Sequence, residues 1–193
     1  MEDWVYRALA KWPNVPALYG WLRLDRRGRW LIKGEPISRP QILDTIGRNY
    51  AADERGAWYF QNGPQRGYVE LDYAPLVLRV DGCGRLRTHT DLPVEHPTAA
   101  WLDEEGAVLL STEHGPGLID QDDLEWTLAR LVRGARPADE VAIAAALTLP
   151  SGTGTDLALV LPSARLPLQR LDAARAPQVL GYLRQPQAPG PAA

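Results

Sequence analysis

A chain of 193 residues, 45% hydrophobic and 23% charged with a net charge of −3, has the material for one sizeable core or two smaller ones, and reads as a folded globular protein. No apolar run approaches the roughly 18 to 20 residues that span a bilayer, and the opening Met1-Glu2-Asp3-Trp4 lacks the basic-then-apolar order of a secretion signal, so the expected location is the cytoplasm, with no membrane partner. The single cysteine, Cys83, excludes an intrachain disulfide and a thiolate metal cage. Ten acids with no lysine or arginine across residues 91–125 argue against nucleic acid.

In chain order, Val5, Leu9 and Trp12 share one side of a short helix predicted over residues 2–12, which Pro13 should stop. The strand-like Tyr19–Leu24 then meets the first of four Asp-x-x-Gly sequences: Asp25-Arg-Arg-Gly28, Asp53-Glu-Arg-Gly56, Asp81-Gly-Cys-Gly84 and Asp103-Glu-Glu-Gly106. Each is followed, one residue on, by an apolar residue that opens a strand, and the spacings are 28, 28 and 22 residues. Aspartate can bond its own backbone two residues on and glycine supplies positive φ, so each unit predicts a tight hairpin. Their aspartates are therefore expected in turns rather than in a catalytic site.

After the first hairpin, Ser38 and Gln41 have the spacing of a capping box, predicting a helix from about Arg39 to Asn49 with Ile42, Leu43 and Ile46 inward. Strands are predicted near 57–62, 67–72, 76–80 and 85–90, as one largely antiparallel meander. Beyond Asp103 come a strand at Val108–Ser111, a bend at Gly115-Pro-Gly117, Asp120 as a cap, and a helix over about 121–133 with Leu124, Leu128 and Leu131 inward. Hairpin, bend and capped helix thus occur twice, and an internal duplication is expected. Residues 139–149 fit helix or strand. Ser151-Gly-Thr-Gly-Thr155 reads as a turn, Asp156–Leu161 as a buried strand, and 172–184 as a short helix interrupted at Pro177. The fold class is α+β: an N-terminal helix at 1–14, a first repeat at 15–90, a second at 91–184 and a disordered tail at 185–193.

Residues that could carry chemistry are few. His89, His96, His114 and Cys83 have no metal-ligand spacing, and Asp120, Asp122, Asp123 and Glu125 suit a helix N-terminus as well as they suit a cation. No nucleophile motif is present, so no catalytic residue is assigned. Seven tryptophans and seven tyrosines against one phenylalanine raise an aromatic ligand platform, but Trp30, Trp58 and Val108 hold equivalent places after their turns and are expected in the core. Residues 21–50 carry seven bases against three acids, the reverse of 91–125, which gives the molecule an electrical polarity.

The run Gly28-Arg-Trp30-Leu-Ile-Lys-Gly34-Glu-Pro36-Ile37-Ser-Arg39, followed by a helix, then Tyr59-Phe60 and Asp72-Tyr-Ala74-Pro75, resembles a proteobacterial family of unknown function. The resemblance implies a duplicated α+β fold whose C-terminal half is loosely similar to pleckstrin-homology domains. It also implies a binding or signalling role, with a nucleotide-like ligand between the halves. Two departures stand out: a tyrosine inserted into the family's Asp-Ala-Pro, and Gln61-Asn-Gly-Pro64 in place of its Thr-Pro-Val-Glu stretch. On this basis Arg39, Asp72 and Pro75 are the expected ligand-binding positions. Arg39 suits an anion, and an Arg39–Asp72 structural ion pair is the competing reading.

The expected function is a non-enzymatic ligand-sensing or regulatory protein that takes a small anionic, nucleotide-like ligand between its two repeats. The alternative is a protein–protein interaction through the acidic 91–125 face, notably Glu104 and Glu105, or through the N-terminal helix. The sequence names no cofactor and no oligomeric state.

Overall fold

All four Asp-x-x-Gly sequences close hairpins in the same way. The computed structural model describes residues 16–188; the helix expected at 2–12 and the end of the tail lie outside the described residues. The turns join β1 (Ala17–Leu24) to β2 (Trp30–Ile32), β4 (Tyr50–Ala52) to β5 (Trp58–Asn62), β7 (Leu76–Val80) to β8 (Leu86–Thr88), and β9 (Ala99–Leu102) to β10 (Val108–Thr112). In each, one aspartate oxygen accepts the backbone N–H groups two and four residues on, at 2.7–3.0 Å. The glycine N–H returns to the aspartate carbonyl at 2.9–3.2 Å, and the glycines take φ between +68° and +88°, a conformation an L-residue adopts only at a cost.

Two of these carboxylates are held below the usual carboxylate range. For Asp81 the Arg85 N–H is the main cause, joined by the Cys83 N–H and the Arg85 side chain. For Asp53 burial pushes upward and is outweighed by the Ala57 and Arg55 N–H groups and the Arg55 guanidinium. A depressed folded-state pKa contributes stability that is complete above the unfolded value of about 4 and is lost as pH falls through the lower folded value. Asp81→Asn, which cannot titrate, should therefore show a shallower loss of urea stability than the wild type as pH falls below about 4. Equal acid slopes in the two proteins would contradict this.

The chain divides into two compact units, one running to Pro75 and resuming at Gly181, the other Leu76–Leu180. The strands expected to form one meander over 57–90 therefore belong to two sheets. The first two fold with the first unit and the last two with the second, because β7 pairs with β11 (Gly115–Ile119) rather than with the strand before it.

In the first unit β3 (Glu35–Pro36) and β6 (Gln65–Leu71) complete a sheet of order β3-β2-β1-β6-β5-β4, in which β1 and β6 run parallel. Lys33 and Gly34, both at positive φ (52° and 86°), make the tight β2–β3 turn. Leu22, Leu24, Trp30, Ile32, Trp58, Phe60, Val69 and Leu71 are buried, and the Tyr50 ring meets Trp30 edge-on at 4.9 Å and Trp58 at 4.7 Å. Helix α1 (Pro40–Arg48) corrects the expected capping box. Its N-cap is Arg39 without a side-chain cap bond, and Pro40 stands in the first turn, where a missing N–H costs nothing and a fixed φ favours the helix. Only Ile46 is buried, while Ile42 and Leu43 are half-buried. The returning C-terminal segment is pinned by Leu183 N–H to Gly56 O (2.9 Å) and Leu71 N–H to Arg184 O (2.8 Å).

The second unit adds α2 (Leu124–Leu128), β12 (Leu131–Arg133), β13 (Arg136–Pro137), α3 (Glu140–Leu147), β14 (Gly154–Val160), β15 (Arg165–Arg170) and α4 (Ala176–Leu180). Its sheet order is β13-β12-β14-β15-β9-β10-β11-β7-β8. Three expectations are corrected here. Gly115-Pro-Gly117 is part of β11 rather than a bend. The helix expected over 121–133 is a 3₁₀ turn at Gln121–Asp123 followed by the five-residue α2, with Leu124 and Leu128 exposed at 51% and 42%. Leu131 is buried as expected, but in β12, because pairing of Leu131–Arg133 with β14 wins over the helical period. Pro177 sits in the first turn of α4 and does not interrupt it. The open segment 139–149 resolves as α3, capped by Asp139, whose carboxylate accepts the Ala142 N–H at 2.8 Å. Ten of the thirteen strand pairings among the described residues are antiparallel, so the α+β reading on largely antiparallel sheets holds.

Candidate functional site

The third Asp-x-x-Gly turn delivers Arg85 to the start of β8, beside the buried Leu86. Together with the 93–97 loop, the Leu161-Pro162-Ser163 corner between β14 and β15, and Trp126 of α2, these residues enclose a cavity of about 180 Å³ within the second unit. Leu86, Val94, Pro97, Leu161 and Pro162 make its walls apolar, while Arg85, Glu95 and Ser163 supply polar groups.

Two of its walls, the 93–97 loop and Trp126, are fixed by traceable contacts. The Glu113 carboxylate accepts the backbone N–H groups of Glu95 (2.6 Å) and His96 (3.1 Å). Burial pushes Glu113 upward, but these N–H bonds prevail and hold it below the usual range. His114 Nε2 lies 2.8 Å from Pro93 O, so the same corner ties the loop at two points. The Arg130 guanidinium lies 3.9 Å from the Trp126 ring centre and donates to the Trp126 carbonyl at 3.1 Å, a cation–π contact that fixes the indole plane. Trp126 Nε1 is shielded from solvent without a hydrogen-bond partner among the described residues. The nearest carboxylate contact of Arg85 is Nε to Asp81 Oδ2 at 3.4 Å, and its side chain is 68% exposed, which leaves it able to swing to a ligand at the cavity mouth. A cation and a carboxylate around an apolar slot with an indole wall suit a small planar molecule with an anionic group for Arg85 and a donor for Glu95.

The residues drawn from the family resemblance lie elsewhere, in the first unit. Arg39 is the half-buried N-cap residue of α1. Asp72 follows β6, its N–H bonds Leu24 O at 3.0 Å, and its carboxylate is bonded by Arg23 Nε. Pro75 is buried and its carbonyl accepts the Tyr50 hydroxyl at 3.0 Å. The ion-pair partner found for Asp72 is thus Arg23.

The acids of 91–125 are largely engaged in the fold. Asp103 is fully buried in its turn. Asp120 caps the 3₁₀ turn and pairs with Arg79 at 3.1 Å, Asp123 accepts the Val80 N–H at 2.9 Å, and Glu104 accepts the Ala173 N–H at 2.8 Å. Among the described residues no group of three or more His, Cys, Asp or Glu side chains could hold a metal ion, and His89 Nδ1 accepts the Val77 N–H at 3.2 Å. No described helix is long and apolar enough to cross a membrane. Sequence reasoning missed Arg85 and Trp126 as a pair, because they stand 41 positions apart and no helical or strand period links them.

The described residues form an α+β protein built on two mixed sheets. The family model DUF2944, described as "Protein of unknown function (DUF2946)", matches residues 1–187, and the chain belongs to that family. A DUF1285 family protein from Silicibacter pomeroyi DSS-3 is similar in structure, with TM-score 0.53 and 18% identity over 79% of this chain and 81% of that one; at this identity the likeness concerns the fold. A DUF1285 family protein from Shewanella baltica OS155 matches at TM-score 0.42 and 13% identity over 54% of this chain and 87% of that one. No curated protein matches. The resemblance to a family of unknown function, read from Gly28–Arg39 and its companions, is borne out at that level.

Proposed function

We propose that this protein is a non-enzymatic ligand-binding regulator whose ligand is a small anion with a planar apolar body, held in the second unit against Trp126 with Arg85 at the mouth. The observation that carries the reading is the preformed apolar cavity with one cation at its rim and a fixed indole in its wall. Its 93–97 loop is already tied by Glu113 and His114, so binding needs little further ordering. Arg39, Asp72 and Pro75 are proposed as a separate set of contacts in the first unit, on the family resemblance alone. The alternative, a protein partner recruited by the acidic stretch, has less support because so many of those acids already bond backbone N–H groups.

Thermal-shift measurements with adenosine 5′-monophosphate and 1-naphthoate test the proposal. At least one probe should raise the melting temperature of the wild type, and Arg85→Ala should weaken that response about tenfold or more in ligand concentration, the worth of one charge-assisted contact. Arg39→Ala should leave it unchanged if the second-unit cavity alone binds. No shift with either probe, or an unaltered response in Arg85→Ala, would sink the assignment.

A further inference from the structure

A second cavity, of about 250 Å³, lies wholly within the first unit, between α1 and the sheet. Its walls are Leu22, Ile37, Ile42, Ile46 and Phe60, with Thr45 and Asn62 as the polar members; no lining residue is charged. An enclosed apolar cavity of about 150 Å³ already accepts benzene, so this one takes a larger body.

Two strands of the sheet, β1 and β5, contribute lining residues. Leu22 of β1 and Phe60 of β5 are separated by β6, a span of two strand spacings, roughly 10 Å. Opposite Phe60 on β6 stands Gly67, on the same sheet face as Val69, which faces Leu22. Ile42, on the helix above, remains half-buried. The space is lined predominantly by aliphatic side chains. Of the polar members, Thr45 Oγ1 donates to Gln41 O at 2.7 Å and keeps lone pairs to accept, while the Asn62 amide can donate. Thr45 and Asn62 are exposed, so a ligand's polar end reaches solvent there while its body stays among the apolar walls, where an unpaired polar group would cost heavily.

From this geometry we infer that the first unit binds an aliphatic molecule in the slot beneath α1, with its polar end at Thr45 and Asn62. This inference is independent of the proposed anion site, which lies in the other unit.

The chain has six isoleucines, of which Ile37, Ile42 and Ile46 line the slot while Ile119 and Ile143 belong to the second unit. Methyl-resolved NMR of the isoleucine-labelled full chain, titrated with decan-1-ol, therefore reads the slot with controls built in. The Ile37, Ile42 and Ile46 methyls should move saturably while Ile119 and Ile143 stay still. Asn62→Ala should weaken binding about threefold or more. Ile42→Phe, which fills the slot, should abolish the shifts, with unchanged Ile119 and Ile143 signals showing that the second unit stays folded. Still methyls at all three lining positions, or equal movement of all the isoleucines, would each overturn the inference.

Discussion

Gly56→Ala should destabilise the first unit by about 3–5 kcal/mol, well beyond the usual cost of adding one methyl group. Two penalties coincide there. The residue sits at φ +79°, and a Cβ would stand 2.3 Å from Gly181 O and 3.0 Å from both Gly181 C and Tyr182 Cα. These are backbone atoms, so no side-chain rotation relieves the clash. The returning segment must lift, taking with it the Leu183 N–H to Gly56 O bond and the buried Tyr182. Gly106→Ala is the matched control: it has the same turn chemistry and φ +88° with nothing within 4 Å of the added Cβ, so only the conformational cost of about 1–2 kcal/mol applies. Urea unfolding of the two variants separates the terms. Equal losses would mean that the C-terminal segment does not pack against the second turn.

The second large effect is expected at Arg170, a guanidinium only 4% exposed. It pairs with Asp172 at 2.9 Å, approaches Glu104 at 3.8 Å, and donates to the carbonyls of Leu147 (3.2 Å) and Leu102 (3.5 Å). One fork thereby joins the end of α3, the end of β9 and the segment after β15. Arg170→Ala would leave those acceptors without their donor and should cost about 3–5 kcal/mol. Arg170→Lys should recover only part, since a single ammonium cannot serve the same spread of acceptors. Arg165→Ala removes an exposed arginine whose contact is one carbonyl, that of Gly134, and should cost less than about 1 kcal/mol. Denaturation midpoints of the three variants check the ranking; an Arg170→Ala loss no larger than that of Arg165→Ala would mean that Arg170 does not hold these three segments together.

The parts of the fold legible from sequence were those set by local chemistry. An aspartate three residues before a glycine specifies its own turn through bonds to the backbone nearby, so all four hairpins could be placed without knowledge of the rest. Trp30, Trp58 and Val108 followed, because strand alternation after each turn sends them inward. The errors arose where distant pairing overrode local preference. Leu124, Leu128 and Leu131 have helical spacing, yet β14 captured Leu131 as a strand residue and the helix ended after five residues, with two leucines outside. Ser38 and Gln41 matched a capping box, but Pro40 already begins the helix and Arg39 became the N-cap. Likewise nothing local announces that Arg85, Glu95, Trp126 and Ser163 surround one cavity, since they come from four separate segments that only the sheet order assembles. The acidic run shows the reverse limit: its composition was plain, but not that so many of its carboxylates are bound to backbone N–H groups.

The central claim, that ligand binding resides at Trp126 in the second unit, is tested most directly by fluorine NMR of the full chain labelled with 5-fluorotryptophan and titrated with adenosine 5′-monophosphate and 1-naphthoate. The Trp126 signal, identified by its loss in Trp126→Phe, should move saturably with at least one probe while those of the buried Trp30 and Trp58 stay in place. A Trp126 signal that stays fixed under both probes, or one that moves no more than Trp30 and Trp58, would contradict it.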